Sequence, residues 1–157
     1  MIVKDIKYED FINYKKPSMF IIFPYCSFKC EKECGMEICQ NSSLVMSKNI
    51  RLNIDTVVSK YINNSITHAI VCGGLEPFDS WVDLQDLIIS LRQRTNDDIV
   101  IYTGYNKEEI TNEIDWLKQY ANIIVKFGRY IPNQSSHFDS VLGVNLASSN
   151  QYAERIS

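Results

Sequence analysis

Four of the five cysteines of the 157-residue chain fall in one short segment, at positions 26, 30, 34 and 39. Thiolates that lie close together in sequence can converge on one metal centre, and zinc sites and iron–sulfur clusters both use such sets. Zinc sites usually contain paired Cys-x-x-Cys knuckles, and this chain contains none. The first spacing, Cys26-x-x-x-Cys30, is more typical of an iron–sulfur loop. The residues therefore favour a cluster, and a zinc loop that uses all four cysteines is the alternative.

The segments around these cysteines must position the thiols. A continuous apolar run from Ser18 to Phe23 directly precedes them and predicts a buried strand. Similar runs predict further strands, at His68 to Cys72, Ile99 to Tyr102 and Ile123 to Val125, with Val141 to Leu146 as a candidate fifth strand. Apolar residues at helical spacing predict three helices, at Ile54 to Tyr61, from Asp79 or Ser80 to about Arg94, and at Lys107 to Tyr120. The N-terminal segment, Ile2 to Asn13, is compatible with a strand or a short helix.

Strands that alternate with helices indicate parallel strands joined by right-handed crossovers, which is an α/β fold. The chain is too short for a complete eight-unit barrel, which needs about 250 residues. We therefore predict one domain, residues 1–157, with a partial (βα) barrel or an open, curved, mostly parallel sheet. Ligands bind at the carboxyl ends of such strands. The segments with chemical potential all follow predicted strands: Cys26 to Cys39, Gly73 to Pro77, Thr103 to Tyr105 and Phe127 to Tyr130.

Two of these segments resemble motifs of the radical S-adenosylmethionine enzymes. One is Cys26-x-x-x-Cys30 after a strand, and the other is the sequence Gly-Gly-Leu-Glu-Pro at 73–77. Most of these enzymes have a third cysteine at the position of Glu33, which leaves Cys34 and Cys39 as candidates here. In the similar activating proteins of anaerobic ribonucleotide reductase, an asparagine follows the third cysteine by two residues, as Asn41 follows Cys39. The resemblance therefore implies Cys39 as the third ligand.

Three later segments also resemble the activating proteins. They are Ile101 to Tyr105, Val125 to Ile131 and Ala147 to Gln151. In the second of them Phe127 stands where the family has an aspartate. With these segments the resemblance extends from about Met19 to Arg155, and its weight comes from the order and spacing of the motifs.

The resemblance implies an oxidoreductase of the radical S-adenosylmethionine fold type, with a 4Fe-4S cluster and S-adenosylmethionine as cofactors. It implies Cys26, Cys30 and Cys39 as cluster ligands. The cofactor-binding residues that it implies are Ile38, Gln40, Gly73, Gly74, Glu76, Tyr102, Thr103 and Gly104. The implied activity is the formation of a glycyl radical on a protein partner, anaerobic ribonucleotide reductase, with electrons from an external reductant. The alternatives are an activator of another glycyl-radical enzyme, and a zinc or iron–sulfur module without catalysis.

Composition limits the remaining possibilities. The net charge is −3 and 22% of the residues are charged, without a dominant basic patch, so we expect no nucleic acid partner. No apolar run approaches the ~20 residues of a membrane helix. The first residues, Met1 to Glu9, are charged, and we therefore expect a cytoplasmic protein. Cys72, within a predicted strand, is expected to be a small buried apolar residue.

Overall fold

The structure, a computed structural model, describes residues 1–157. Its ten strands are β1 Ile2–Val3, β2 Asp5–Asp10, β3 Ser18–Phe23, β4 Ile50–Arg51, β5 Ala69–Gly74, β6 Asp98–Tyr102, β7 Ile123–Phe127, β8 His137–Asp139, β9 Val144–Leu146 and β10 Tyr152–Arg155. Its α-helices are α1 Lys29–Cys34, α2 Ser42–Met46, α3 Ile54–Ile62, α4 Trp81–Arg92 and α5 Thr111–Leu117, and 3-10 helices cover Pro77–Ser80 and Lys107–Glu109. None of the helices has both the length and the apolar character needed to cross a membrane.

Six strands form the main sheet, in the order β10-β7-β6-β5-β3-β2. The four central strands are parallel, and one continuous register links Phe20 to Val71, Val71 to Val100 and Val100 to Ile124. Both edge strands, β2 and β10, run antiparallel to their neighbours. The sheet is therefore mixed and open, with its parallel part in the middle.

The central strands are continuous apolar runs because both faces of the sheet are covered. Helices α3, α4 and α5 pack on one face, where Ile70, Cys72 and Ile101 point. Cys72 is fully buried there, as predicted. The other face, which carries Val71 and Val100, is covered without helices, by the side chains Tyr14, Leu142 and Leu146.

Most elements were predicted from the apolar patterns to within two residues, including β3, β5, β6, β7, α3 and α4. The helix predicted from Lys107 to Tyr120 is divided, because Ile110 leaves the helical conformation at φ −131°. The N-terminal segment forms strands β1 and β2 and no helix.

Near the C-terminus the structure differs from the prediction in two strands. The segment from Val141 to Leu146 contributes only β9, which pairs with β8 in a separate two-stranded hairpin. The strand that completes the main sheet is β10, which pairs antiparallel with β7 and was not predicted. Its sequence, Tyr-Ala-Glu-Arg, has a single buried residue, Ala153, so it lacks the apolar pattern of the central strands.

On the face of the sheet without helices, the segment between β2 and β3 is hydrogen-bonded to the β8–β9 hairpin. The Lys15 N–H donates to the Leu142 carbonyl at 2.8 Å. Gly143 follows with φ +74°, and a Cβ added to it would lie 2.6 Å from the Cβ of Lys15. The Tyr102 hydroxyl donates to the Asn13 carbonyl at 2.6 Å. Tyr102 and Asn13 also line the cavity described below.

The close approach at Gly143 predicts a stability difference between two glycine variants. Gly143→Ala should lower the free energy of unfolding by roughly 2 to 4 kcal/mol, because the new methyl group meets Lys15 and φ is positive. Gly35 also has a positive φ, +66°, but nothing lies within 4 Å of its Cβ position. Gly35→Ala should therefore cost only about 1 kcal/mol. Urea unfolding of both variants checks this, and equal losses would contradict the tight contact.

Candidate functional site

A cavity of about 490 Å³ lies at the carboxyl ends of the parallel strands. Ten of the eleven site residues predicted from the sequence line it: Cys26, Cys30, Ile38, Cys39, Gln40, Gly74, Glu76, Tyr102, Thr103 and Gly104. The exception is Gly73, whose Cβ position is 3.0 Å from the Phe20 ring and 3.3 Å from the Tyr102 Cβ. A side chain at Gly73 would therefore collide with Phe20 and Tyr102, which both line the cavity. Cys34 does not line the cavity.

The cysteine segment has little regular structure and no core of its own. Phe28, in the left-handed conformation at φ 54°, precedes α1, and Gly35 at φ 66° ends it. Cys30 and Cys34 lie one turn apart on this helix, whereas Cys26 and Cys39 lie outside it. No residue of α1 or α2 is buried. The position of the segment must therefore come from contacts with the rest of the chain.

The start of the cysteine segment is held by the residues that follow β5. The Glu76 N–H donates to the Tyr25 carbonyl at 2.7 Å. The Ser27 N–H donates to Asp79 Oδ2 at 2.5 Å, and the Tyr105 hydroxyl donates to the other oxygen of Asp79 at 2.7 Å. Cys26 lies between these two attachment points.

The end of the segment is attached to the same strand. The Asn41 side-chain amide donates to the Gly74 carbonyl at 2.8 Å. Gly74 has φ +84°, and a Cβ added to it would lie 2.4 Å from Ile22 Cγ2, so only glycine fits. The two ends of the cysteine segment are thus brought together at the carboxyl end of β5.

Glu76 joins the ends of β5 and β6. Its carboxylate is buried and accepts hydrogen bonds from the Thr103 hydroxyl at 2.8 Å, the Gly104 N–H at 2.9 Å and the Phe78 N–H at 3.2 Å. Burial raises the pKa of Glu76 to about 7, and these donors offset only part of the effect. The carboxylate therefore sets the relative position of two strand ends on the cavity wall.

Lys126 is a site residue that the sequence reasoning missed. It lies on β7, only 7% of it is exposed, and it lines the cavity. Its ammonium donates to the Gly128 carbonyl at 2.9 Å, which leaves two of its three donors free. Burial lowers the pKa of Lys126 to about 8, against the opposing charge of Glu76. The sequence does contain a sign that Lys126 is a site residue. It interrupts the apolar run Ile-Ile-Val-Lys-Phe, and a buried strand rarely contains an unpaired charge.

The environment of Cys26 and Cys30 disfavours free thiolates. Burial raises the pKa of Cys26 to about 12, although the Phe28 N–H donates to its sulfur at 3.3 Å. Burial also raises the pKa of Cys30, against the smaller effects of the Tyr130 N–H and the Arg129 charge. Metal coordination deprotonates a thiol outright, so these sites suit a metal centre better than a free nucleophile.

The arrangement fits a cluster better than a single ion. A zinc site places four ligands at about 2.0–2.3 Å from one ion, and no group of three or more cysteine, histidine or acidic side chains is close enough to hold one ion. A cluster binds each cysteine through a different iron, so its thiolates lie further apart. Cys26, Cys30 and Cys39 line one cavity and are the residues that would hold such a cluster.

The hydrogen bond between Thr103 and Glu76 predicts a second stability difference. Thr103→Val removes the donor to Glu76 and the acceptor of the Tyr105 N–H at 2.9 Å. We expect it to lower the free energy of unfolding by about 1 to 3 kcal/mol. The matched control is Thr67→Val, because the buried Thr67 hydroxyl has no partner to lose. That variant should be neutral or stabilising in urea unfolding, and a comparable loss in both would contradict the role given to Thr103.

Comparison with known proteins gives one match. No curated protein and no solved structure matches the chain. A sequence profile of the family described as 4Fe-4S single cluster domain matches residues 18–152, which is most of the chain and includes every residue that lines the cavity beyond Asn13. The chain therefore belongs to the 4Fe-4S single cluster domain family and is an iron–sulfur protein.

Proposed function

We propose that the protein is a radical S-adenosylmethionine activating enzyme that forms a glycyl radical on a protein partner, anaerobic ribonucleotide reductase. One observation carries the proposal: three cysteines, but not Cys34, share a cavity with all but one of the residues that the family resemblance assigns to S-adenosylmethionine. Three protein ligands leave one iron of a four-iron cluster free for another molecule. An electron-transfer cluster, by contrast, is usually held by four cysteines.

When bound and reduced by an external donor, the cluster supplies the electron that cleaves S-adenosylmethionine into methionine and a 5′-deoxyadenosyl radical, which takes a hydrogen atom from glycine. The protein contributes the shape and charge of the cavity. The amino acid part of S-adenosylmethionine carries an ammonium and a carboxylate. Lys126 offers a buried cation with free donors to the carboxylate, and Glu76 offers a buried negative charge to the ammonium. Glu76 Oε2 accepts only the Gly104 N–H within the chain and retains a lone pair for this purpose.

The far end of the cavity suits a protein substrate. Ile12 lines it there and is 71% exposed, and its neighbour Phe11 is 63% exposed. Phe138 is 64% exposed and pairs with Asn145, which also lines the cavity. Exposed apolar side chains at the mouth of a cavity are typical of surfaces that dock another protein. An activator of a different glycyl-radical enzyme would use the same site and differ only in the partner.

Anaerobic reconstitution with iron and sulfide, reduction by dithionite and addition of S-adenosylmethionine test the cofactor chemistry. We expect 5′-deoxyadenosine and methionine, detected by mass spectrometry. Cys34→Ala should retain the cluster and the cleavage, whereas Cys39→Ala should lose both. Loss of the cluster in Cys34→Ala would instead indicate four ligands and electron transfer. Zinc in place of iron would leave a module without catalysis.

The role given to Lys126 predicts a binding defect. Lys126→Met should weaken S-adenosylmethionine binding roughly 10- to 100-fold, the loss expected for one charge-assisted hydrogen bond. Equilibrium binding to the reconstituted protein checks this, with the iron content measured in parallel. The matched control is Lys7→Met, since Lys7 also lines the cavity but is exposed. Equal affinity in the Lys126 variant and the control would exclude a contact between Lys126 and the ligand.

The exposed residues at the cavity mouth predict a partner-specific defect. Phe11→Asp should lower the yield of glycyl radical per S-adenosylmethionine cleaved by roughly fivefold or more, as expected when an interface anchor is removed. Electron paramagnetic resonance with anaerobic ribonucleotide reductase gives the radical yield, and product analysis gives the cleavage. Val82→Asp is the control, because Val82 is 68% exposed and lies on α4, which packs on the opposite face of the sheet from the cavity. The same yield in both variants would remove the cavity mouth from the docking surface.

A further inference from the structure

Arg129 is a buried cation outside the set of residues assigned to S-adenosylmethionine. It follows β7, and its side chain is only 6% exposed. Two of its guanidinium nitrogens donate to the two carboxylate oxygens of Glu109, at 2.6 Å and 2.7 Å. This paired geometry fixes the plane and the position of the charge. It also lowers the pKa of Glu109 to about 2, so the pair is ionised under all ordinary conditions.

The side chain of Arg129 lies beside Cys30, with only a glycine between them. A Cβ placed on Gly104 would be 3.5 Å from Cys30 Sγ and 4.0 Å from Arg129 Cγ. Glu76 Oε2 would lie 3.6 Å from the same point, so the thiol, the carboxylate and the stem of Arg129 meet around Gly104, which has no side chain to hold them apart.

Arg129 also contacts the helix that carries Cys30. Its third nitrogen, Nε, lies 3.1 Å from Glu33 Oε2 in an ion pair without hydrogen-bond geometry. Lys29, at the start of α1, approaches Glu109 Oε1 at 3.5 Å. The helix is thus joined to Arg129 and Glu109 at two positions, which keeps the guanidinium near the helix that carries Cys30.

We propose that Arg129 is a positioning residue that raises the reduction potential of the cluster held by Cys30. One-electron reduction adds a negative charge to the cluster, and a fixed cation nearby stabilises the reduced form. The effect is strengthened because Arg129 is buried and Cys30 is half-buried, which limits screening by water. Glu109 holds the cation in place and offsets part of its field. The inference rests on the iron–sulfur cluster of the family and does not depend on S-adenosylmethionine chemistry.

Two variants with opposite expected signs test the proposal. Arg129→Gln removes the cation and should shift the midpoint potential of the reconstituted cluster to a more negative value. Glu109→Gln keeps the cation and removes its counter-charge, so it should shift the potential to a more positive value. The measurement is a dithionite titration with redox mediators, followed by electron paramagnetic resonance of the reduced cluster. Lys118→Gln is the charge-matched control, because Lys118 is exposed and pairs only with Asp115 on α5.

The sign of the shift separates an electrostatic role from a purely structural one. A structural role would loosen the cluster in both variants, or shift both potentials in the same direction. The proposal is overturned if Arg129→Gln matches the Lys118→Gln control. If Arg129→Gln does not retain iron, Glu109→Gln decides, and an unchanged or more negative potential would overturn it. Because no S-adenosylmethionine is added, a negative result here leaves the proposed enzymatic function to its own test.

Discussion

The carboxylate of Glu76 is the contact on which the cavity depends. Strands β5 and β6 are neighbours, but hydrogen bonds between them end at Cys72 and Ile101, before the residues that line the site. Beyond that point the two segments are joined by the side chain of Glu76, which accepts hydrogen bonds from the Thr103 hydroxyl and the Gly104 N–H. The Glu76 backbone N–H meanwhile holds the start of the cysteine segment through Tyr25. One residue thus connects both strand ends to the segment that carries the thiols.

The charges around the cavity follow a consistent arrangement. A buried charge is costly unless an opposite charge or hydrogen bonds compensate for it. Arg129 forms a bidentate ion pair with Glu109 within the fold, which offsets part of its charge. Neither Lys126 nor Glu76 is fully compensated. Burial has the largest effect on the pKa of each, and the neighbouring charges and hydrogen bonds offset only part of it. Lys126 and Glu76, which line the cavity, are therefore the charges without an ion-pair partner, whereas Arg129, which does not line it, is paired with Glu109.

The central strands could be predicted well from the sequence, whereas the edge strand β10 and two charged residues of the site could not. The central strands are apolar because both faces of the sheet are covered, so their patterns are unambiguous. Strand β10 was missed because an edge strand with one buried residue has no such pattern. The cysteines and the glycine-rich turn were found because their types and spacing are unusual. Lys126 and Arg129 were not, because their importance comes from burial against residues distant in the chain, which no local pattern records.

The absence of buried residues in α1 and α2 has a consequence for the resistance of the protein to proteolysis. A segment without a core has little free energy of its own to oppose local unfolding. With a cluster bound at its cysteines, metal–ligand bonds supply that free energy instead. Oxygen attacks exposed iron–sulfur clusters. Oxidative loss of the cluster would therefore also remove the bonds that keep this segment ordered. An unfolded, polar, exposed segment is what proteases cut first. We therefore expect this segment to be cut more readily in molecules that lack the cluster than in those that hold it.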